Sequence, residues 1–361
     1  MNLYRQYIIN PVRDGIKNPN KGIPIPLKGL SKYTNYIEKG QYTAIGGKPT
    51  SGKTSLMDQI YMINVYKWWS ELGTTDEEGN FTVDENRPNL KMFYFSMKKK
   101  PVIKWQKWIC LYLKMEHNLV IDIPTLTGQV GRLYDLTQEH IDQIKAAEEF
   151  FTNLENDVLV MISGPQQPSS IYNRIKDYML EIGRMDQEDN FILDKKHSDT
   201  YVFGYVDDTS YLLPETDGFQ NMNAEGLKRK IDELSLELSR DYKVNMNIIS
   251  PSKSTYSTKV KDSEPTYKEL GCFATSVDLG LVAYNPYVEN NSNYLGYPVD
   301  DTVTKGKTRL RTITVVRNPL GLESVTIPCF FLGECGYFAE APHPTETEEY
   351  TKKIAGLNKL P

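Results

Sequence analysis

Residues 42–55 read YTAIGGKPTSGKTS, and this stretch decides how the chain folds. It contains the spacing Gly47-x4-Gly52-Lys53-Thr54, with an apolar strand pattern before it and a helical pattern after it. Glycines let a chain turn tightly enough for successive backbone N–H groups to converge on an anion. A helix that begins near Lys53 adds its positive N-terminal end at the same point. The stretch therefore predicts a phosphate-binding loop between a strand and a helix.

The same loop predicts which groups contact a nucleotide. Lys53 is placed to reach the β- and γ-phosphates, and the Thr54 hydroxyl is placed to bind Mg²⁺, so ATP and Mg²⁺ are the expected cofactors. The alternative is a glycine turn with an incidental lysine, and the flanking strand and helix patterns argue against it. The residues expected around ATP are Gly47, Lys48, Pro49, Thr50, Ser51, Gly52, Lys53, Thr54 and Ser55.

A pair of carboxylates follows a later apolar run, residues 201–208, which reads YVFGYVDD. Asp207 stands at the end of this predicted strand, where a Walker B carboxylate holds Mg²⁺ through water. The alternative is an ordinary carboxylate that ends a strand or caps a turn. The phosphate loop upstream favours the metal-binding role for Asp207.

Short apolar runs alternate with helical patterns along the chain. This alternation predicts an α/β fold with a mostly parallel twisted sheet and helices on both faces. The predicted strands are 42–45, 90–95, 158–162, 201–206, 244–249, 279–284, 310–316 and 325–331. The predicted helices are 54–72, 101–115, 137–154, 169–183 and 224–242. The predicted organisation is an arm over 1–25, one motor domain over 26–340 with acidic insertions near 73–89 and 185–200, and a polar tail over 341–361.

Composition excludes several classes of protein. Lys and Arg total 42 and Asp and Glu total 47, so the net charge of -5 excludes a uniformly basic surface for nucleic acid. The sequence lacks both an apolar run long enough to span a bilayer and a signal peptide, which predicts no membrane partner and a cytoplasmic location. The 4 cysteines and 4 histidines are scattered, which predicts reduced thiols and no metal site made of side chains alone.

The order and spacing of several segments resemble the RecA-like motor domain of DnaB-type hexameric replicative DNA helicases. The resemblance extends over residues 21–340. Its segments are the lead-in 22–32 with Gly40, the phosphate loop, Phe95-Ser96-Met97, the helix and strand over 227–250, Lys268-Glu269-Leu270-Gly271, Val316-Arg317-Asn318 and Gly333-Glu334.

This resemblance implies a RecA-like P-loop NTPase fold that ends in antiparallel strands. It implies an ATP-dependent replicative helicase. Such a helicase is a ring-forming homo-oligomer, hexameric in this family, that translocates on single-stranded DNA with ATP at subunit interfaces. Primase, a helicase loader and other replisome proteins are the implied partners. Because only residues 1–25 precede the motor, the family's N-terminal primase-binding domain is expected to be absent, as in bacteriophage helicases, and the location would then be the host cytoplasm.

The resemblance also assigns roles to residues at the nucleotide. Lys53, Thr54 and Asp207 are expected to bind ATP and Mg²⁺. Arg317 is expected to project into the site of the neighbouring subunit and stabilise charge on the transferring phosphate. The predicted catalytic set is Lys53, Asp207, Arg317 and a further carboxylate, Asp208.

A second group of residues is expected at the DNA. Lys268, Glu269 and Gly271 are expected on a central-channel loop that touches DNA phosphates. Lys253 lies in the same polar stretch, with Lys259 and Lys261, and either adds to the electrostatic grip or belongs to a solvated loop.

Three positions depart from the family pattern. Lys98 stands where the catalytic glutamate should follow Met97, and a charged lysine cannot accept a proton. The Ser-Gln sensor reads Ser250-Pro251, and Val315 replaces a lysine. Asp208 is the carboxylate that could act as the base instead. Two alternatives therefore stay open, namely a catalytically degenerate nucleotide-dependent DNA-binding scaffold and a RecA-like recombinase or packaging ATPase.

Overall fold

The computed structural model describes residues 9, 22–34, 36–76, 78–79, 81–129, 136–188, 190–216, 222–252, 265–288, 293–299, 309–319 and 321–346. Within these residues, nine strands form one central sheet. In chain order they are β1 (Tyr42–Gly47), β2 (Leu90–Ser96), β3 (Leu159–Ser163), β4 (Tyr201–Asp207), β5 (Asn245–Pro251), β6 (Leu279–Tyr284), β7 (Leu310–Arg317), β8 (Val325–Leu332) and β9 (Tyr337–Glu340).

Across the sheet the strands follow the order β9-β8-β7-β6-β1-β5-β4-β2-β3. Strands β6, β1, β5, β4, β2 and β3 are parallel, and β7, β8 and β9 continue the sheet as antiparallel strands. Parallel neighbours need crossover connections, which the helices between them supply. The predicted fold class, a mostly parallel α/β sheet with antiparallel C-terminal strands, is confirmed.

The helices that cover the sheet begin at recognisable local signals. Pro101 occupies the first turn of one helix, Thr137 and His140 form a capping box on the next, and Asn223 caps another. The longer helices are α1 (Lys28–Thr34), α2 (Lys53–Met57, then a π-helical segment Asp58–Ile63, then Asn64–Ser70), α3 (Pro101–His117), α4 (Gln138–Asn153), α5 (Pro168–Ile182) and α6 (Ala224–Arg240), and a single helical turn, Ile123–Leu126, follows α3.

Both faces of the sheet are buried. Met92 and Tyr94 of β2 pack with α2, α3 and α4, whereas Phe93 and Phe95 pack with α5 and α6. Successive strand residues point to opposite faces, so a strand covered on both sides is apolar throughout. This burial explains why the strands appear in the sequence as continuous apolar runs.

Every predicted strand and helix is present, and the differences lie at the ends. Strand β1 continues to Gly47 and β4 to Asp207, because backbone pairing extends beyond the last apolar side chain. Strand β9 is indicated in the sequence only by the preceding Gly333-Glu334 pair. The two acidic insertions form short antiparallel hairpins, Gly73–Thr75 with Phe81–Val83 and Gly183–Met185 with Phe191–Leu193.

The segment before α1 is part of the folded body. Residues Ile23–Pro24 pair with Tyr36–Ile37, and the side chains of Ile23 and Ile25 are buried. The expected boundary between arm and motor at residue 25 therefore falls inside packed structure. The rest of the arm, apart from residue 9, and the tail beyond residue 346 lie outside the described residues. Among the helices described, none combines the length and the apolar character that crossing a bilayer requires.

Candidate functional site

The phosphate loop leaves the carboxyl end of β1 and leads directly into α2. Gly47, Thr50 and Gly52 have φ values of 134, 67 and 93°, which turn the backbone sharply. A Cβ on Gly52 would lie 2.6 Å from the ring of Phe338, and one on Gly47 would overlap the carbonyl oxygen of Ala283. Both glycines are therefore required by close packing as well as by backbone conformation.

Helix α2 begins at Lys53 without a side-chain cap. Its first backbone N–H groups have no partner within the helix, so they are available to an anion. Ser51 is buried, and its hydroxyl has no hydrogen-bond partner among the described residues. A buried donor left unpaired in this way fits a site that is completed by a phosphate group.

Lys53 lies across the loop, and its Nζ donates a hydrogen bond to the carbonyl oxygen of Lys48 at 2.7 Å. Burial lowers the pKa of Lys53 to about 8; the negative charges of Asp208 and Asp207 oppose this shift, and the positive charge of Lys98 adds to it. The ammonium therefore lacks a full counter-charge, and the phosphates of a nucleotide would supply one.

Thr54 and Asp207 meet beneath the loop. The Thr54 hydroxyl donates a hydrogen bond to Asp207 Oδ1 at 2.9 Å, although their elements, α2 and β4, are distant in sequence. Hydroxyl and carboxylate oxygens are the ligands that Mg²⁺ prefers, and such sites are usually completed by phosphate oxygens and water. The two side chains therefore fit the expected metal, with ATP as the source of the other ligands.

A buried lysine lies behind Asp207. Lys104 is 0% exposed, and its Nζ is 2.9 Å from both Asp207 Oδ2 and Asp58 Oδ2. The Tyr94 hydroxyl donates to Asp58 Oδ1 at 2.8 Å and lies 3.2 Å from Asp207 Oδ2. Four elements thus meet at this group: α2, β2, α3 and β4.

Charge pairing sets the protonation of this network. Burial acts to lower the pKa of Lys104, but Asp207 and Asp58 outweigh it and the pKa is raised. Burial likewise acts to raise the pKa of Asp207, and Lys104 outweighs it, so that pKa is lowered. Sequence reasoning missed Lys104, Asp58 and Tyr94. The available signal was a lysine on the buried face of α3, in line with Trp108 and Leu111.

Lys98 and Asp208 border the nucleotide site. Lys98 is exposed, and its Nζ lies 5.6 Å from the centre of the Tyr211 ring. Asp208 Oδ1 accepts a hydrogen bond from the backbone N–H of Ser210 at 2.9 Å, so this carboxylate caps the turn after β4. The charges of both side chains affect the pKa of Lys53, so Lys98 and Asp208 both lie within electrostatic range of it.

The predicted DNA-contacting residues lie on the turn Tyr267–Thr275. Lys268 is exposed, whereas the Glu269 carboxylate accepts hydrogen bonds from the backbone N–H of Thr266 at 2.9 Å and from its hydroxyl at 3.1 Å. Gly271 has a φ of 63° and open space around it. Lys253, like Lys259 and Lys261, lies outside the described residues.

This turn rests on the carboxyl ends of β1 and β5. Ser250 donates a hydrogen bond from its hydroxyl to the carbonyl oxygen of Leu270 at 3.1 Å. A Cβ on Gly46 would lie 2.6 Å from the carbonyl oxygen of Glu269. The turn is therefore packed against the strand that leads into the phosphate loop, with no room for an intervening side chain.

Arg317 lies away from the phosphate loop but close to the turn Tyr267–Thr275. It is the last residue of β7, which runs antiparallel to β6, and it pairs with Gly280, which in turn pairs with Ala44 of β1. A Cβ on Gly280 would lie 2.5 Å from the Leu270 side chain and 2.7 Å from the Cβ of Arg317, so Arg317 packs beside this turn. The guanidinium is 3.4 Å from Glu323 Oε1 and is partly exposed.

Comparisons with known proteins identify the fold. Neither a protein-family model nor a curated protein matches the chain. Among solved structures, it is similar to the ATPase domain of G40P, with a TM-score of 0.62 and 13% identity, over 93% of this chain and 98% of that one. It is also similar to a DnaB-like replicative helicase described with its interactions with primase, with a TM-score of 0.61 and 14% identity, over 92% of this chain and 67% of that one.

The chain therefore has the fold of the ATPase domain of DnaB-like helicases. The likeness covers nearly the whole chain, so the resemblance predicted from the sequence is confirmed at the level of the fold. Within that fold, Lys53, Thr54, Asp207 and Asp208 are brought together, and Arg317 is not.

Proposed function

We propose that the chain is the motor of a DnaB-like replicative DNA helicase, a ring-forming translocase that hydrolyses ATP at its subunit interfaces. The proposal rests on the contact between Thr54 and Asp207, 2.9 Å apart beside an uncapped helix start. This contact places two oxygen ligands for a metal beside a loop that can bind phosphates. The proposed motor domain spans residues 26–340, with an arm before it and a tail after it.

At the nucleotide, each residue has a separate role. Lys53 pairs with the terminal phosphates, and the backbone N–H groups of residues 47–55, other than Pro49, surround the phosphate chain. Thr54 and Asp207 hold Mg²⁺, which neutralises phosphate charge when it is bound with ATP. Asp208 lies close enough to influence Lys53, and we assign it the role of orienting the attacking water.

Arg317 acts on the site of a neighbouring copy. It aligns through Gly280 with Ala44, before the phosphate loop of its own chain begins, which supports an arginine contribution to a neighbouring site. Closure of such head-to-tail contacts gives a ring, and a hexamer is the form we propose. Primase and a helicase loader are the proposed further partners, since one structural neighbour is described with primase.

DNA contact is proposed for the turn Tyr267–Thr275. Lys268 is exposed and can pair with a phosphate, while Glu269 holds the turn in shape through Thr266. The Ser250 to Leu270 hydrogen bond, at 3.1 Å, joins this turn to the strand beside the phosphate loop. A change at the nucleotide can therefore move the DNA-contacting turn directly. Lys253 is proposed as an additional contact.

ATP hydrolysis stimulated by single-stranded DNA tests the proposal. The purified chain should bind ATP with Mg²⁺ and hydrolyse it faster when DNA is added. Both Lys53→Ala and Asp207→Asn should abolish hydrolysis, and the control Asp232→Asn, a buried carboxylate on the other face of the sheet, should not. Absence of ATP binding in the unchanged chain would refute the proposal.

The scaffold alternative rests on Lys98, which is exposed at the position of the family's catalytic glutamate. A ring that binds ATP without cleaving it would hold DNA and not move along it. Lys98→Glu separates the two functions: it should create hydrolysis in a scaffold and change little in a motor that uses Asp208. Asp208→Ala should abolish hydrolysis only in the motor.

A further inference from the structure

Lys104 and the proposed metal ligand Thr54 contact the same carboxylate, that of Asp207. The two oxygens of Asp207 have different partners. Oδ1 accepts a hydrogen bond from the Thr54 hydroxyl at 2.9 Å, and Oδ2 pairs with the Lys104 ammonium at 2.9 Å. The carboxylate is therefore fixed from both sides. Only the oxygen on the Thr54 side is directed to the phosphate loop.

Asp58 is the counter-charge that keeps the lysine in place. Its Oδ2 is 2.9 Å from Lys104 Nζ, and its Oδ1 accepts from the Tyr94 hydroxyl at 2.8 Å. These two carboxylate contacts hold Lys104 and Tyr94 behind Asp207.

Packing alone does not account for a lysine at this position. The ammonium is fully buried, and removing a charge from water is costly even when it is paired. Well-packed apolar side chains of similar volume often stabilise a core as well as a buried ion pair does. A role at the neighbouring Asp207 explains why the charged group is there.

We infer that the charge of Lys104 sets how strongly the nucleotide site binds Mg²⁺, because it partly neutralises Asp207 from behind. The inference rests on the proposed function, since it concerns the metal bound with ATP. Lys104 and its two carboxylates together carry a formal charge of about -1. Losing the lysine makes this charge more negative, and losing Asp58 makes it less negative.

The electrostatic role predicts opposite effects for the two residues. Lys104→Met should tighten the apparent affinity for Mg²⁺ by about tenfold, because a divalent cation gains attraction to the uncompensated carboxylates. Asp58→Asn should weaken it by a similar factor. The double variant Asp58→Asn with Lys104→Met restores the net charge and should return to the affinity of the unchanged chain.

The measurement is a Mg²⁺ titration of the full chain with a fluorescent ATP analogue, repeated in excess chelator. Asp232→Asn is the control, since it removes a buried carboxylate that is bonded to Tyr42 and Ser276, away from this network. Melting temperatures show whether each variant is folded. If Lys104→Met does not fold, the comparison of Asp58→Asn with the double variant still gives the effect of the lysine.

The outcomes separate this inference from the proposed function. Opposite shifts in the single variants and their cancellation in the double variant support the role of Lys104. Shifts in the same direction, or an unchanged Mg²⁺ dependence, overturn it. If the unchanged chain binds no nucleotide with or without Mg²⁺, the proposed function fails instead.

Discussion

Lys53 and Lys104 are both buried, but their charges are balanced in different ways. Lys104 pairs with two carboxylates at 2.9 Å, and its pKa is raised. Lys53 donates to a neutral carbonyl at 2.7 Å, and its pKa is lowered to about 8. One lysine already has its counter-ions inside the protein, whereas the other is left for a ligand to neutralise.

The lowered pKa of Lys53 predicts a pH dependence of nucleotide binding. Phosphates favour the charged lysine, so its pKa rises in the complex above the value of about 8 in the free chain. Below that pH, Lys53 is protonated in both the free chain and the complex, so it has no effect on the pH dependence of nucleotide affinity. Above it, binding takes up a proton, and affinity should fall by up to about tenfold for each pH unit.

Calorimetry in two buffers of different ionisation enthalpy measures this proton uptake at about pH 9. Lys53→Arg is the control, because arginine stays charged and any binding that remains should take up no proton at this position. Equal binding enthalpies in the two buffers for the unchanged chain would contradict the prediction.

Residue separation explains which parts of the site the sequence could reveal. The phosphate loop is local, so residues 47–55 could be predicted together. The cap of Glu269 on Thr266 is also local, and its Thr-x-x-Glu spacing is a known helix-start pattern that was open to the same reasoning. The contacts of Lys104 with Asp58 and Asp207 join residues 46 and 103 positions apart, which spacing alone does not indicate.

At the scale of elements, β9 is a wall of the phosphate loop. Gln59 of α2 donates to the carbonyl oxygen of Phe338 at 3.0 Å and accepts from its backbone N–H at 2.7 Å. This pair fixes β9 so that the Phe338 ring closes over Gly52. Continuous apolar patterns predicted most strands, but β9 is short and needs its partner β8 and this glutamine to be defined.

Gln59→Ala should therefore destabilise the chain and weaken nucleotide binding. It leaves a buried N–H and a buried carbonyl unpaired, which costs about 2 kcal/mol. Chemical denaturation gives the stability, and Gln138→Ala is a matched control because the Gln138 amide donates to Asp142 on an exposed helix surface. The control should lose less than about 0.5 kcal/mol. Equal losses in the two variants would show that the Phe338 contact is unimportant.

The turn Tyr267–Thr275 supports a second prediction at this scale. Lys268→Ala should weaken single-stranded DNA binding and reduce the salt dependence, by about 0.7 in the slope of log affinity against log salt, because one phosphate contact is lost. Glu269→Ala should weaken binding without reducing that slope, because Glu269 holds the turn through Thr266 and makes no cationic contact. Salt titrations of both variants test this. An unchanged slope for Lys268→Ala would exclude the phosphate contact.

At the scale of the whole molecule, Arg317 and the phosphate loop lie towards opposite ends of the neighbouring strands, because Arg317 aligns through Gly280 with Ala44 near the start of β1. The antiparallel direction of β7 produces this separation, which cannot be derived from the Val316-Arg317-Asn318 motif by itself. Under the proposed function, the phosphate loop and Arg317 would complete one site from two copies of the chain. Head-to-tail association would bring them together.

Mixing two inactive variants tests whether the site is shared. Lys53→Ala removes the phosphate contact and Arg317→Ala removes the proposed partner group, so each variant alone should lack ATP hydrolysis. Equal mixing should restore about a quarter of the activity, because that share of interfaces joins an intact loop to an intact arginine. In the control, Lys53→Ala is mixed with Arg309→Ala, which removes an ion pair with Glu334 and leaves Arg317 unchanged. No recovery after confirmed subunit exchange would exclude action between subunits.

The contact between Gln59 and Phe338 also has a consequence for how the chain is made. These residues are 279 positions apart, so the ribosome releases the loop and α2 well before the strand that encloses them. A nascent chain holds its phosphate-binding amides without the aromatic cover over Gly52. Synthesis from the N-terminus thus leaves this side of Gly52 uncovered until β9 has been made.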